Sequence, residues 1–235
     1  MTGNPAPTVL LTRPRAQAEA YAAELRHALG AGVRVAISPL IEIAHLSPAP
    51  DLTGIGTLLF TSVNGVEAFS ALTPRRDIPA LCVGEKTAAR AAALGFRASA
   101  AGGDADSLIA LALARGRGGL LYPRGEEVAR DLAAPLREAG RDLRELVVYR
   151  QRPRALDPTA RALIDAGEPL LLPLFSPRSA RLFLTEAEGA DLSRVIAICL
   201  SENVAAALPE NRFGALSTAA RPTAAAVTRE IAARM

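Results

Sequence analysis

The stretch Leu58–Phe69, LLFTSVNGVEAF, is the key to the rest of the chain. Leu58, Leu59 and Phe60 form a short apolar run, the pattern of a strand covered on both faces. Thr61, Ser62 and Asn64 follow, residue types that close helix N-termini, with Gly65 behind them. Val66 and Phe69 then fall at helical spacing. A buried strand is predicted to run through a small polar turn into a helix, whose N-terminal end attracts anions. The layout returns at Leu171–Phe183, LLPLFSPRSARLF, with Ser176 in the turn and Leu182 and Phe183 turned inward. Phe60 with Phe175, Cys82 with Cys199, Ser107 with Thr223, and Arg13 with Arg124 make four matched pairs, 111 to 117 positions apart. That offset is too long for a solenoid and predicts an internal duplication of an α/β module.

Outward from this stretch, the chain sorts into strand–helix units. Val9–Leu11 and Val33–Ile37 read as strands, joined by a helix that carries Tyr21, Leu25 and Leu29 on one face. Pro39–Leu52 reads as an extended segment closed by prolines. Between Thr57 and Arg150 the expected strands are Leu58–Phe60, Ala80–Val83, Arg97–Ala101 and Leu120–Tyr122. Helices are expected after Asn64, Thr87, Asp106 and Gly125, the last of them offset by Pro135. LVVYRQRP, from Leu146, is a second extended stretch. The remaining strands are expected at Leu170–Phe175, Val195–Leu200 and Gly214–Ser217. The predicted fold class is α/β, with two similar domains. Each is a parallel sheet with helices on both faces, flavodoxin-like, and a two-stranded β-ladder joins them. One domain takes residues 9–38 plus 154–235 and the other 53–145, with linker strands at 39–52 and 146–153. Met1–Thr8, with two prolines and no periodicity, reads as a disordered tail.

Half of the residues are hydrophobic, ample for a core, and tryptophan is absent. The net charge of +3 is mild and dispersed. It suits an anionic ligand and gives no nucleic-acid footprint. Neither a signal peptide nor a membrane-length apolar run is visible, so a soluble cytoplasmic protein is expected. His27 and His45 read as exposed, and without a carboxylate cluster they predict no metal site. Cys82 and Cys199 read as buried thiols at strand ends. GEKT at Gly84 lacks the upstream glycine of a phosphate loop, and GGDAD at Gly102 is not a dinucleotide fingerprint. Both argue against a nucleotide-binding protein of flavodoxin type.

In parallel sheets ligands bind beyond the carboxyl ends of the strands. The polar residues expected there are Thr12, Arg13, Ser62, Asn64, Gly84, Thr87, Arg124, Ser176, Ser179, Ser201 and Thr223. Hydroxyls, backbone N–H groups and a few guanidinium groups make a surface for a large polyanion and supply little acid–base equipment.

FTSVNGVEAF, VGEKTAARAAALGF, PRGEEVARDLAAPLREAGRDLRELVVYR and FSPRSARLF, in this order and spacing, resemble the uroporphyrinogen-III synthase family from Val9 to Ala233. The resemblance implies two α/β domains joined by a two-stranded ladder, with the active site in the cleft. It implies that hydroxymethylbilane, a linear tetrapyrrole with an acetate and a propionate on every ring, is closed with inversion of the last ring and loss of water. The route passes through an azafulvene and a spiro intermediate, with no cofactor and no metal. Tyr149, in VVYR, matches the family tyrosine proposed to help the hydroxyl leave, and Ser62, Thr87, Arg130 and Ser201 match positions near the substrate. A monomer is expected, with transient contact to the preceding pathway enzyme and no nucleic-acid or membrane partner. The alternative is a non-catalytic two-domain protein that binds a tetrapyrrole or another polyanion.

Overall fold

The computed structural model describes residues 6–128 and 130–235. In chain order the elements are β1 (Thr8–Leu11), α1 (Arg15–Leu29), β2 (Val35–Ile37), β3 (Ile41–His45), β4 (Ile55–Phe60), α2 (Val63–Leu72), β5 (Ala80–Cys82), α3 (Glu85–Ala93), β6 (Ala98–Ala100), α4 (Ala105–Arg115) and β7 (Gly119–Gly125). They continue with α5 (Ala133–Glu138), β8 (Leu143–Pro153), α6 (Pro158–Asp165), β9 (Leu170–Leu174), α7 (Pro177–Glu186), β10 (Leu192–Cys199), α8 (Glu202–Ala205), a 3-10 turn at Glu210–Arg212, β11 (Phe213–Thr218) and α9 (Ala224–Ala232). One compact unit holds the residues up to Glu42 and from Arg152 onward, and the other runs from Ile43 to Gln151.

In the first unit the sheet order is β11-β10-β9-β1-β2, and all of its pairs are parallel. In the second the order is β3-β8-β7-β4-β5-β6, parallel from β8 to β6. Leu46 N donates to Val148 O and Arg154 N to Leu40 O, so β3 runs antiparallel to β8. Position for position, β6-β5-β4-β7-β8 repeats β11-β10-β9-β1-β2. The duplication expected from the sequence is therefore present as sheet order. Phe60 ends β4 and Phe175 directly follows β9, while Cys82 ends β5 and Cys199 ends β10.

Successive strand residues point to opposite faces, and each sheet carries a core on both. On β1, Leu10 joins Leu172, Phe183 and Val204 on one face, while Val9 and Leu11 join Tyr21, Leu25 and Val227 on the other. On β4, Leu58 and Phe60 pack with Phe69 and Phe96, and Leu59 packs with Leu81, Leu108 and Leu136 on the reverse face. Both cysteines are free and buried, as expected. Burial pushes the Cys82 thiol up to about 12 and the Cys199 thiol up to about 11. His27 and His45 are exposed.

Several expected boundaries move. The helices begin about two residues early, because their caps are Ser62, Gly84 and Asp104 rather than Asn64, Thr87 and Asp106. The Asp104 side chain accepts from Ser107 N and the Ser107 side chain answers at the Asp104 backbone, a capping box. No helix starts at Gly125. β7 continues to that residue, and α5 opens at Ala133 with Pro135 in its first turn, where a missing N–H costs nothing. Ala129, inside the stretch read as helix, lies outside the described residues. The helix α6 was not anticipated; its signal is Asp157 ahead of Pro158, with the Asp157 carboxylate accepting from Ala160 N. Most of the stretch read as a tail lies outside the described residues, and Thr8 belongs to β1.

Candidate functional site

Thr61 and Ser62 leave the carboxyl end of β4, and each meets a tyrosine of the same unit, Thr61 one from the adjacent strand β7 and Ser62 one from β8, the next strand beyond it. Thr61 Oγ1 lies 3.1 Å from Tyr122 Oη, and Ser62 Oγ lies 3.1 Å from Tyr149 Oη. Tyr122 belongs to β7 and Tyr149 to β8. Both rings are buried, Tyr122 to 3% and Tyr149 to 7% exposure. Burial raises the Tyr122 phenol above its ordinary value, and the Thr61 hydrogen bond partly offsets this.

Ser62 has a second task. Its Oγ accepts the Gly65 N–H at 3.0 Å and so caps α2. The pair of Ser62 and Tyr149 holds two O–H protons, and the bond between the two oxygens consumes one of them. Whichever oxygen donates, one O–H remains for a ligand.

A bulge aims Tyr149 at this serine. β7 and β8 pair in step from Leu120↔Leu143 to Arg124↔Val147, and then Gly125 pairs with Tyr149. One extra residue on β8 thus shifts everything beyond Val147. Val148 and Tyr149 both pack against Ala68 of α2, with Ile43 and Leu72 around them. Glu126 N donates to Tyr149 O at 2.9 Å and fixes the bulged backbone.

Arg124, expected as a carboxylate ligand, is engaged inside the unit. Its Nε donates to Glu145 Oε1 at 2.7 Å, and its Nη1 to Gly125 O at 2.8 Å and Glu126 O at 3.2 Å. Arg137 holds the other Glu145 oxygen at 3.1 Å. Arg130 is exposed and pairs with Asp106 at 3.0 Å. Gly84 caps α3 without a side chain, which leaves the first turn of that helix free of a side-chain cap. Thr87, only 6% exposed, sits in the same turn. Asn64 sits half-buried in the first turn of α2.

The other expected residues lie in the first unit. Ser176 caps α7 by accepting from Ser179 N at 3.1 Å, and the two serine oxygens are 2.9 Å apart. Ser176 and Ser62 share nearly the same extended backbone, with φ of −153° at both. Thr223 caps α9 through Ala226 N. Ser201 precedes α8 and makes no side-chain cap bond. Thr12 is buried, and its carbonyl accepts from Leu40 N. Arg13 lies over the Phe175 ring, 4.0 Å from its centroid, with Gln17 accepting from Nη2. Burial lowers its pKa from the usual guanidinium value.

Sequence reasoning missed three residues of this site: Tyr122, Gly125 and Glu145. The sequence pattern places a helix after Gly125, yet the place of this glycine directly after the strand-end Arg124 is a usable signal. Among the described residues, no three His, Cys, Asp or Glu side chains gather in one place, and no helix is long and apolar enough to cross a membrane.

Solved structures share this fold. Uroporphyrinogen-III synthetase from Helicobacter pylori is 22% identical, with 95% of this chain and 97% of that one covered and a TM-score of 0.69. A mutant uroporphyrinogen III synthase from the extremely thermophilic bacterium Thermus thermophilus is 21% identical, with 96% and 97% covered and a TM-score of 0.53. No curated protein sequence matches significantly. The family model described as "Uroporphyrinogen-III synthase HemD" matches residues 19–229, nearly the whole chain. The chain belongs to the uroporphyrinogen-III synthase family.

Proposed function

We propose that this chain closes hydroxymethylbilane to uroporphyrinogen III, inverting the last ring and releasing water, with Tyr149 as proton donor to the leaving hydroxyl. The observation that carries the assignment of roles is the Ser62–Tyr149 hydroxyl pair, which keeps one O–H for a ligand at the carboxyl end of β4. Family membership supports the reaction itself.

The chemistry balances on this pair. The first ring loses its hydroxyl as water once a proton reaches the departing oxygen, and a neutral tyrosine can give that proton. The last ring, on closing the macrocycle, releases the hydrogen of its free α-carbon as a proton, which restores the tyrosine. The remaining task is orientation: the unaided substrate closes without inversion, so a bound chain must hold its last ring in one attitude. Substrate carboxylates suit the N-termini of α2 and α3, the exposed Arg130, and the hydroxyl of Ser201. Ser62, Asn64, Gly84 and Thr87 are grouped by the carboxyl ends of the adjacent strands β4 and β5. Thr12, Arg13, Ser176, Ser179 and Thr223 are the counterpart set in the other unit. On this reading the protein works as a cytoplasmic monomer that receives its substrate by transient contact with the preceding enzyme.

The test is an assay of the purified protein with hydroxymethylbilane, with the uroporphyrinogen isomers separated after oxidation. The expected product is the asymmetric isomer, formed faster than the spontaneous reaction. Only the symmetric isomer, at the rate seen without protein, would leave a binding protein in place of an enzyme.

A further inference from the structure

Resting on the reading of Tyr149 as proton donor, we infer that Gly125 is a positioning residue that sets where the Tyr149 hydroxyl stands. The Tyr149 ring crosses the Gly125 backbone at a distance only glycine permits. A Cβ built on Gly125 would lie 2.8 Å from Tyr149 Cζ, 2.9 Å from Cε2 and 3.0 Å from Oη. All three atoms belong to the hydroxyl end of the ring. Gly125 is not one of the positive-φ glycines, so its backbone does not itself require glycine; the ring does.

Three further contacts make this a built arrangement. The bulge sets Tyr149 opposite Gly125 instead of a residue with a side chain. The Arg124 guanidinium holds the Gly125 and Glu126 carbonyls, and the Glu145 carboxylate, itself held by Arg137, accepts from that guanidinium. At the other end, a Cβ on Gly65 would lie 3.0 Å from Pro123 O and 3.4 Å from Ser62 Oγ, so Ser62 is also seated by a glycine against β7. The hydroxyl pair is thus held on the Tyr149 side by backbone too close to the ring to admit a methyl group, and on the Ser62 side by a tight but less exclusive approach. Any side chain at 125 pushes the ring end away and breaks its bond to Ser62, while the buried ring body keeps its place against Ala68 and Val148.

The experiment compares wild type, Gly125→Ala, Tyr149→Phe and the double variant for kcat, KM and product isomer. The expected loss in kcat for Gly125→Ala is on the order of a hundredfold, the usual contribution of a group assisting proton transfer. KM should stay within about threefold, because binding is untouched. The double variant should be no slower than Tyr149→Phe, since the hydroxyl that Gly125 positions is already gone. Wild-type kcat in Gly125→Ala, or losses that multiply in the double variant, would overturn the inference. A wild type that yields only the symmetric isomer would instead remove the functional reading. The placement is then decided by near-ultraviolet circular dichroism, in a chain with three tyrosines and no tryptophan. A changed tyrosine band in Gly125→Ala supports the contact, and an unchanged band overturns it. Should Gly125→Ala fail to fold, Tyr149→Ala is added to remove the ring. Recovered folding supports the contact, and continued failure overturns it.

Discussion

Tyr149 and Ser62 share one hydrogen bond but differ in what else depends on them. Tyr149→Phe removes a hydroxyl and keeps the buried ring, so turnover should fall by about a hundredfold with the melting temperature unchanged. Ser62→Ala also removes the cap of α2, worth about 1 kcal/mol. It should therefore lower the Tm of the unit that carries it by about 4–8 °C and cost less turnover than Tyr149→Phe. Thr87→Ala and Ser201→Ala should each cost about 1 kcal/mol of substrate interaction. Steady-state kinetics and thermal melts on the same purified set check all four, and a fully active Tyr149→Phe would remove Tyr149 as the acid. The arginines divide in the opposite sense. Arg130 pairs with Asp106 in the open, where an ion pair is worth at most about 1 kcal/mol. Arg130→Ala should barely move Tm while raising KM about tenfold, through loss of a charge-assisted bond to a carboxylate. Arg124→Ala strips the half-buried Glu145 of its closer partner and should lower stability by about 1–3 kcal/mol. An Arg124→Ala protein with wild-type Tm would show that the brace is idle.

At the scale of elements, what could be read from sequence was what depends on neighbours along the chain. The apolar run Leu58–Phe60 and the period of α1 state their own burial, and the matched pairs state the duplication without reference to any sheet. The cysteine positions were legible for the same reason, since Cys82 and Cys199 end equivalent apolar strands. What could not be read depends on partners far along the chain. β8 begins at Leu143, three residues before the expected stretch, because Arg144 and Glu145 look like loop residues until Asp51 and Arg124 neutralise them. The pairing of Ser62 with Tyr149 spans 87 positions and requires a bulge that no local pattern announces. The cysteines also give a prediction on pH. Folding holds both thiols protonated, with values raised from 9.0 to about 12 and about 11. The folded state excludes the thiolate that the unfolded chain forms, so this contribution is complete below pH 9 and is lost as pH rises from about 9 toward the folded values. Denaturant melts should show stability falling above pH 9 in wild type and falling less steeply in a Cys82→Ala, Cys199→Ala double variant. Parallel slopes would show that the thiols are not responsible.

For the whole molecule, two units with separate cores predict that unfolding is not a single two-state event. Ser62 and Ser176 are equivalent caps, one in each unit, with the same backbone and the same bond to the third residue of the helix. Calorimetry should show a van't Hoff enthalpy below the calorimetric one. Ser62→Ala should then shift only one component of the transition and Ser176→Ala only the other. A single transition moved equally by both variants would mean that the units melt as one.

The matched sheet orders carry a consequence for synthesis on the ribosome. In the second unit the strands that fill the places of β1 and β2 are β7 and β8, made last among the shared five. In the first unit β1 and β2 are made first, although β1 lies between β9 and β2. At about 5–20 residues per second, β9 follows β1 only after roughly ten seconds or more, during which the entire second unit emerges. The nascent chain therefore finishes its second unit while an inner strand of the first, Thr8–Leu11, still waits for its second neighbour. That waiting apolar segment, rather than anything in the finished protein, is where a translating cell would need a chaperone.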